Sequence, residues 1–303
     1  MAQIDILMAT FRGEAFLAQQ IHSLQDQTFR DWRLLIHDDG SDDATTQIIA
    51  RFAAEDERIQ WIEDGMTFHA PGPNFMHLLQ FSTAPFAIFC DQDDIWLENK
   101  LEVMYRRILQ QDNSLPQAVY SNSYVYDPVT DNLDGYATLF HPQHLRDVLF
   151  MNSGIQGCAI LFNAALRNLC QTPPPVVVMH DHVITLAALA CGELTYLDRR
   201  LMLYRRHQDV VTGRTDKHLA ERVSRFFQKG KTVIDRSHFE AIRSFYETYR
   251  EKMPEASRNT FEDFFGFSRG NRWQHFWHAW RGKYRLGNHP YLLLIKILLR
   301  PIL

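Results

Sequence analysis

The stretch Ala87-Ile88-Phe89-Cys90-Asp91-Gln92-Asp93-Asp94-Ile95-Trp96 decides the fold of this chain. Its first four residues are apolar, which predicts a strand buried on both faces of a sheet. Three acids follow within four positions, and such a group of carboxylates beside a buried strand is costly unless it is compensated. Open parallel sheets bind ligands outside the carboxyl ends of their strands, so the acidic turn predicts a binding site there.

The rest of the first half alternates between strand and helix patterns. We expect strands at residues 4–9, 32–36, 59–62, 87–90, 118–126 and 159–162. Apolar residues recur at helical spacing near residues 16–24, 48–52, 75–79 and 97–110, and further helices are expected after Asn163 and after Asp181. This alternation predicts an α/β fold with a mostly parallel sheet and helices on both faces. Residues 127–215 look less regular, and residues 216–303 look helical.

Local signals predict where two of these helices begin. Ser41 or Asp42 is expected to cap the helix that follows the second strand. Asn74 is expected to cap the next helix, with residues 71–73 forming a loop before it.

Composition indicates an ordinary globular protein, because 46% of the 303 residues are apolar and 22% are charged. Met1 leads almost directly into the first strand, so we expect no targeting signal. No twenty-residue apolar stretch predicts a transmembrane helix. The four cysteines have neither zinc nor redox spacing, which favours buried thiols in a reducing cytoplasm.

The charge is divided unevenly along the chain. Seven Lys and Arg but no Asp or Glu follow residue 263, so the last 40 residues carry +7 and the remainder carries −11. This split predicts that the C-terminal region meets an anionic partner. Nucleic acid is disfavoured as that partner, because the acidic remainder would be repelled by it.

Two acidic turns follow predicted strands. The spacing of Asp91 and Asp93 directs both carboxylates toward one point, and hard carboxylate oxygens suit Mg²⁺ or Mn²⁺. The alternative is a solvated turn in which Asp94 caps a helix. In the second turn, at residues 38–43, Gly40 permits a positive φ, and a carboxylate there would accept the imide N–H of uracil or thymine. The alternative for this turn is an ordinary strand-to-helix connection.

These motifs together resemble the family 2 glycosyltransferases, and more narrowly the bacterial rhamnosyltransferase-like branch. The motifs that carry the resemblance are residues 6–11, 27–29, 38–41 and 91–96. The resemblance implies a GT-A fold, a nucleotide diphosphate sugar donor, a divalent cation and inversion at the anomeric carbon. It also divides the chain into a nucleotide-sugar-binding half at 1–100, an acceptor-binding half at 101–215 and a helical C-terminal region at 216–303.

The resemblance assigns expected roles to individual residues. On the donor side, Asp39 matches the acid that reads the base, Thr10 borders the nucleotide and Asp91 opens the D-x-D motif. Asp93 matches the acid that holds the metal. The remaining expected roles are a phosphate contact for Arg12, a cover over the donor diphosphate for Arg205 and His207, and an acceptor-side position for Gly157 and Trp96.

Asp181 is the expected catalytic base. Inversion by direct displacement needs one carboxylate to take the proton of the acceptor hydroxyl. Asp181 lies where the family places this base, at the start of a helix. The alternative is a carboxylate that only caps the helix. The neighbouring His180 and His182 lack a further ligand at metal-binding spacing, so we do not expect a metal site there.

The C-terminal region mixes aromatic and basic residues. Trp273, Trp277 and Trp280 alternate with arginines and precede a leucine-rich segment that is too short to span a bilayer. Aromatic rings beside cations suit the headgroup layer of an anionic membrane. The alternatives are a helical hairpin packed on the catalytic domain and an oligomer contact.

We therefore expect a metal-dependent inverting glycosyltransferase in bacterial surface polysaccharide synthesis, peripheral on the inner face of the cell membrane. Rhamnose from dTDP-rhamnose is the first expected donor, and a UDP-hexose is the alternative. The acceptor is expected to be a glycan or a lipid-linked hydroxyl. More distant alternatives are a nucleotidyltransferase, which would carry a glycine- and arginine-rich phosphate loop, and a non-catalytic membrane-associated assembly protein.

Overall fold

The fold is a three-layer α/β arrangement with additional C-terminal helices. The computed structural model describes residues 2–152, 154–205, 231–289 and 291–303. Its strands are β1 (Ile4–Thr10), β2 (Trp32–Asp38), β3 (Ile59–Trp61), β4 (Phe86–Cys90), β5 (Ile95–Trp96), β6 (Gln117–Asp127), β7 (Asn132–Asp134), β8 (Ile160–Asn163) and β9 (Glu193–Arg205). Its helices are α1 (Leu17–Gln25), α2 (Thr45–Glu55), α3 (Pro71–Leu78), α4 (Lys100–Ile108), α5 (Ala164–Cys170), α6 (His180–Cys191), α7 (Arg236–Tyr249), α8 (Glu255–Phe265), α9 (Arg272–Arg281) and α10 (Leu292–Leu299).

All nine strands of the described residues belong to one mixed sheet, in the order β3-β2-β1-β4-β8-β6-β9-β5, with β7 paired to β6. The strands from β3 to β4 are parallel, as is the pair of β6 and β9. Antiparallel pairs join β8 to β4 and β6, and also place β5 beside β9 and β7 beside β6. The predicted α/β class with a C-terminal helical region is confirmed. The sequence patterns missed β9, which is the longest described strand.

The sheet buries a different set of side chains on each face, because successive residues of a strand point to opposite sides. On one face, Ile6 and Met8 of β1 pack with apolar residues of α1, α2 and α4. On the other face, Leu7 packs into a larger cluster that includes residues of α3, α5, α6 and all four C-terminal helices. The predicted coverage of both faces is therefore confirmed.

Several helix starts differ from the sequence-based expectations. Helix α2 begins at Thr45 without a side-chain cap, because Ser41 donates to Asp38 and Asp42 binds Arg12 instead. Residues 71–73, which we expected to be a loop, form the first turn of α3, where prolines lose no helical hydrogen bond. Helix α5 follows Asn163 as expected, and the Asn163 side chain caps it by accepting from the Leu166 amide at 3.0 Å.

Asn74 does not cap α3. It lies inside the helix, and its buried Oδ1 is 2.6 Å from His37 Nδ1. The Asn74 side chain therefore binds a residue 37 positions earlier in the sequence and does not cap its own helix.

The C-terminal region is part of the hydrophobic core. Phe264, Phe267, Leu293 and Ile297 are almost completely buried in the larger cluster. The backbone of residues 301–302 also accepts hydrogen bonds from the Val233 and Ile234 amides, both at 2.9 Å. The C-terminal helices therefore share one apolar cluster with a face of the sheet. No helix in the described parts of the chain has the length and apolar character needed to cross a membrane.

A buried ion pair joins β1 to its neighbours. Asp5 is fully buried, and its carboxylate accepts both N–H groups of Arg33 at 2.9 Å. The same carboxylate accepts from the hydroxyl of Ser82 and the amides of Thr83 and Ala84. Burial opposes the charge of Asp5, but these donors outweigh it and hold the pKa of Asp5 below its usual value. One side chain thus ties β1 to β2 and to the turn before β4.

We expect Asp5→Ala to lower the free energy of unfolding by about 3–5 kcal/mol, because it leaves buried donors without an acceptor. Arg106→Ala is the matched control: it breaks an exposed pair with Glu102 one helical turn away and should cost about 0.5 kcal/mol or less. Urea denaturation measures both values. Equal losses would contradict a special role for Asp5.

Candidate active site

The carboxyl ends of three parallel strands meet at one edge of the sheet. Thr10 at the end of β1 pairs with Asp38 of β2, and Met8 pairs with Cys90 of β4. Asp39 directly follows β2 and Asp91 directly follows β4. The register of the strands therefore brings both acidic turns to the same edge of the sheet. This is the position at which an open α/β sheet binds its ligand.

The turn after β2 is held by its own carboxylates. Asp38 accepts from the hydroxyls of Thr10 at 2.8 Å and Ser41 at 2.6 Å. Gly40 has a φ of +84°, as its turn was predicted to require. Asp39 is buried and accepts from the backbone amides of Phe68 and Ala70. A carboxylate offers about four lone-pair directions, so Asp39 keeps capacity for a further donor.

The acidic turn after β4 gathers a different pair of carboxylates from the one expected. Ligand atoms of Asp91, Asp94 and Cys158 lie within 4.8 Å of one another. Asp93 is half-buried beside this group, and its backbone carbonyl accepts from Arg205 Nε at 2.8 Å. The D-x-D spacing predicted that Asp91 and Asp93 would converge. Instead Asp94, the third acid, lies in the group with Asp91, and Asp93 contributes its charge from the side.

The electrostatics of this cluster favour a bound cation. Burial raises the pKa of Asp91 to about 6, and the negative charge of Asp93 adds to that rise. Burial also raises the pKa of Asp94, whose Oδ2 has no hydrogen-bond partner among the described residues. Buried carboxylate oxygens that lack donors fit the oxygen preference of Mg²⁺ or Mn²⁺. Cys158 remains a protonated thiol, because burial and the two carboxylates raise its pKa.

Lys100 is a residue of this site that the sequence patterns missed. Its fully buried ammonium donates to the Cys158 carbonyl at 2.7 Å and lies 3.7 Å from the centre of the Trp96 ring. Burial lowers the pKa of Lys100 to about 8, although the nearby carboxylates of Asp94 and Asp91 oppose the shift. A signal was available, because residues 100, 104 and 108 fall on the buried stripe of α4.

Trp96 was expected on the acceptor side, but it is only 2% exposed. Its ring packs over the Lys100 ammonium, and its backbone amide donates to Ser23 Oγ at 3.1 Å. The structure therefore places Trp96 beneath the acidic cluster, as part of the support for Lys100.

The arginines expected at the donor phosphates have protein partners. Arg205 is buried, donates to the Asp93 carbonyl and to Gln19, and places its guanidinium 4.6 Å from the Phe16 ring. Arg12 forms an exposed bidentate pair with Asp42 at 2.7 Å. Arg205 thus fixes the acidic turn against α1, and a phosphate contact by Arg12 would require its pair with Asp42 to open. His207 lies outside the described residues.

Asp181 lies in the first turn of α6 but does not cap it, since Met179 is the N-cap residue. Burial raises the pKa of Asp181 to about 7; the charge of Asp91 adds to the rise, and the His182 amide opposes it. Its Oδ1 is buried without a hydrogen-bond partner in the described parts of the chain. The alternative of a simple helix cap therefore does not account for this carboxylate. A buried carboxylate with a pKa near neutrality can exchange a proton at physiological pH.

His180 positions the start of α6. Its ring centre lies 3.9 Å from that of Phe75 and 4.6 Å from that of Phe89, and burial lowers its pKa to about 3. Gly157, expected on the acceptor side, lies against this ring: a Cβ at position 157 would overlap His180 Nε2. The neutral imidazole and the glycine therefore fit together directly beside Asp181.

We expect Gly157→Ala to lower the free energy of unfolding by about 1–3 kcal/mol, because the added methyl group must displace the His180 ring. A double-mutant cycle by urea denaturation tests this contact. In the His180→Ala background, Gly157→Ala should cost markedly less than it does in the wild type. Additive losses from the two substitutions would contradict the contact.

Similarity to known proteins assigns the chain to a family. Residues 5–169 match the model of the family described as glycosyl transferase family 2. Over 219 residues, the chain is 26% identical to the Escherichia coli protein UDP-Glc:alpha-D-GlcNAc-diphosphoundecaprenol beta-1,3-glucosyltransferase WfgD, covering 71% of this chain and 82% of that protein. It is 24% identical to the dTDP-rhamnosyl transferase RfbG of Shigella flexneri, covering 68% and 73% of the two chains.

The fold also has a counterpart among solved structures. The structure of S. aureus TarS 1-349 in complex with UDP superposes with a TM-score of 0.59 at 14% identity, over 89% of this chain and 73% of that one. At this identity the likeness shows the fold, which is the GT-A arrangement expected from the sequence. Because the family model covers more than half of the chain, this protein belongs to glycosyl transferase family 2.

Proposed function

We propose that this glycosyltransferase inverts the anomeric carbon of a nucleotide diphosphate sugar, with Asp181 as the catalytic base. The observation that carries the proposal is the buried Oδ1 of Asp181, which has no hydrogen-bond partner among the described residues, together with a pKa of about 7. The carboxylate of Asp181 takes the proton from an acceptor hydroxyl as the oxygen of that hydroxyl attacks the anomeric carbon. The nucleoside diphosphate leaves from the opposite side of the sugar ring.

The acidic turn is proposed as the cation site of this reaction. Asp91, Asp93 and Asp94 would hold Mg²⁺ or Mn²⁺, which supplies positive charge to the departing diphosphate. Lys100 donates a hydrogen bond to the Cys158 carbonyl and so holds the backbone of the same cluster in place. Asp39 is proposed to read the base with its remaining lone pairs, with Thr10 beside it. Residues 1–100 would thus bind mainly the donor, and residues 101–215 mainly the acceptor.

The donor is proposed to be dTDP-rhamnose, and a UDP-hexose is the second candidate. The S. flexneri relative supports the first donor and the E. coli relative supports the second. An acid at position 39 accepts the imide N–H of thymine and uracil equally, so the pocket for the sugar must separate the two. The name of the E. coli relative also supports a diphospholipid-linked acceptor in polysaccharide synthesis.

A thermal-shift screen of nucleotides and nucleotide sugars with Mn²⁺ tests the donor. A bound donor stabilises the native state by about 2.7 kcal/mol at a hundredfold excess over its dissociation constant. We expect dTDP and UDP sugars to raise the melting temperature, and GDP and CDP sugars to leave it unchanged. The sugar that gives the largest shift identifies the donor, and a preference for GDP would contradict the role of Asp39.

We expect Asp181→Asn to retain donor binding and to lose turnover by about a hundredfold or more, the usual contribution of a general base. The amide keeps the shape of the side chain but does not accept the proton. Single-turnover transfer assays and donor titration measure the two quantities separately. Asp26→Asn, an exposed acid in the loop after α1, is the control. Unchanged turnover, or loss of donor binding alone, would assign the base elsewhere.

We expect Asp93→Ala to abolish transfer and to weaken metal-dependent donor binding without unfolding the protein, since Asp93 is only half-buried. Calorimetric titration of donor with and without Mn²⁺ measures the effect. Asp112→Ala, which removes an exposed acid after α4, should leave both properties intact. Donor affinity that is the same with and without the cation in the wild type would refute a metal role for the acidic turn.

The proposal includes attachment to an anionic membrane surface through the C-terminal region. Trp273, Trp277 and Trp280 of α9 are 65%, 49% and 57% exposed, although the opposite side of the region packs in the core. A cleft of about 780 Å³ beside them is lined by the basic side chains of Arg146, Arg281, Lys283 and Arg285. The acid in that lining, Asp147, is already paired with Arg285 at 2.8 Å. Exposed tryptophans beside unbalanced positive charge suit an anionic headgroup layer.

We expect the combined substitution of Trp273, Trp277 and Trp280 by serine to release the protein from phosphatidylglycerol-containing vesicles. Basic residues near such a surface contribute on the order of 1 kcal/mol each, so binding by the wild type should also weaken at high salt. The matched control replaces the exposed Leu109 and Leu115 by serine and should still float. Equal flotation of all three proteins would refute the membrane face.

A further inference from the structure

Two histidines and an aspartate meet at the edge of the sheet beyond the acidic turns. His37 belongs to β2, Asp64 follows β3 and His77 lies in α3. One ligand atom from each of the three lies within 4.8 Å of the other two. The Nε2 atom of His37 is 3.3 Å from Asp64 Oδ1, and the Nε2 atom of His77 is 2.6 Å from Asp64 Oδ2. The fold has thus brought three side chains from separate elements to one point.

His37 binds Asn74 through Nδ1, and this hydrogen bond makes the contact of its Nε2 atom with Asp64 unusual. Asn74 Oδ1 can only accept, so Nδ1 of His37 carries the hydrogen that is shared over 2.6 Å. In the neutral ring, Nε2 then presents a lone pair to the carboxylate of Asp64. Two acceptors at 3.3 Å repel each other unless a proton or a metal ion lies between them. A metal-binding histidine has this pattern, with its second nitrogen donating to a fixed oxygen.

The surroundings of the cluster hold the rings and supply no competing cation. Phe68 lies 5.9 Å from the His37 ring and 4.9 Å from the His77 ring, and Phe81 lies 5.1 Å from His77. Within the described parts of the chain, Asp64 forms no ion pair with a lysine or arginine. His37 is buried, whereas the Asp64 side chain is 27% exposed. An ion can therefore reach the cluster from the Asp64 side.

We propose that His37, Asp64 and His77 form a second metal site, selective for a divalent transition metal of the zinc class. Two imidazole nitrogens with one carboxylate suit zinc, whereas the oxygen-rich acidic turn suits Mg²⁺ or Mn²⁺. Solvent completes the coordination shell on the exposed side. The contacts that define this site do not depend on the identity of the donor or on the reaction proposed above.

The site is connected to Asp39 through a short segment. Asp64 begins the connection to α3, and the same connection contains the Phe68 and Ala70 amides that bind Asp39. His69 between them has a φ of +53°, in a region that residues other than glycine rarely adopt. A metal ion at Asp64 would anchor this strained segment at its start and stabilise its contacts with Asp39.

Equilibrium dialysis of untagged protein against Zn²⁺, followed by elemental analysis, tests the site. We expect His77→Ala and Asp64→Asn each to lose one equivalent of zinc relative to the wild type. The control His289→Ala removes an exposed histidine and should lose none. The comparison is made relative to the wild type because Cys158 and its carboxylates can take zinc as well. Circular dichroism of each variant establishes that it is folded.

Hydrogen exchange gives a second readout. Zinc should slow exchange of the Phe68 and Ala70 amides in the wild type and have no effect on them in Asp64→Asn. The same zinc content in the wild type and both cluster variants would overturn the proposal. Protection that depends on pH but not on zinc would also overturn it, because a shared proton would then occupy the position between His37 and Asp64.

Discussion

The main constraint on this structure is that several carboxylates lie at the buried carboxyl ends of parallel strands, where burying their charge costs free energy. Asp91, Asp94 and Asp181 all lie where water is largely excluded, and burial raises the pKa of each. Lys100 is a buried cation near Asp91 and Asp94, and its ammonium donates to the Cys158 carbonyl and packs on the Trp96 ring. Buried charges of this kind lower the free energy of unfolding, and proteins retain them where a bound ligand compensates the charge. Much of the neighbouring structure serves to hold this group in place.

Asp5 and Asp181 have the same side chain, but their surroundings shift its pKa in opposite directions. Asp5 is at least as deeply buried, yet it receives an arginine, a hydroxyl and two backbone amides, and its pKa falls. Burial raises the pKa of Asp181, which accepts only from the His182 amide and whose Oδ1 has no partner within the described ranges of the chain. The first carboxylate stabilises the sheet. The second has a pKa near neutrality, as the proposed catalytic base requires, because a group whose pKa lies near the working pH can both lose and accept a proton readily.

The sequence was informative where the structure depends on local patterns. Short apolar runs located the strands from β1 to β4, and the acids that follow those strands identified the edge that carries the site. Local signals failed where a distant partner decided the outcome. Asn74 looked like a helix cap, but His37 binds its side chain. Strand β9 was missed because only three of its residues, Leu201, Met202 and Arg205, are buried, so it has no apolar run that would predict a strand.

The same limit applies to the side chains of the site and to the C-terminal region. Spacing alone paired Asp91 with Asp93, whereas the backbone of the turn, fixed by Arg205, directs Asp94 toward Asp91. Trp96 was predicted from its motif to face an acceptor, and the packing of α4 buries it instead. In the C-terminal region, aromatic and basic residues indicated an amphipathic surface. They did not indicate that its other side, including Phe264 and Phe267, completes the core.

The central claim is that a buried carboxylate at position 181 takes the proton of the acceptor hydroxyl. The pH dependence of kcat/KM for the wild-type enzyme tests it most directly. The carboxylate must be ionised to act, so we expect kcat/KM to fall tenfold per pH unit well below pH 7 and to level off above it. In Asp181→Asn, the residual rate should lose this ascending limb. A wild-type profile that is flat from pH 5.5 to 8.5, or an unchanged limb in the variant, would contradict the account.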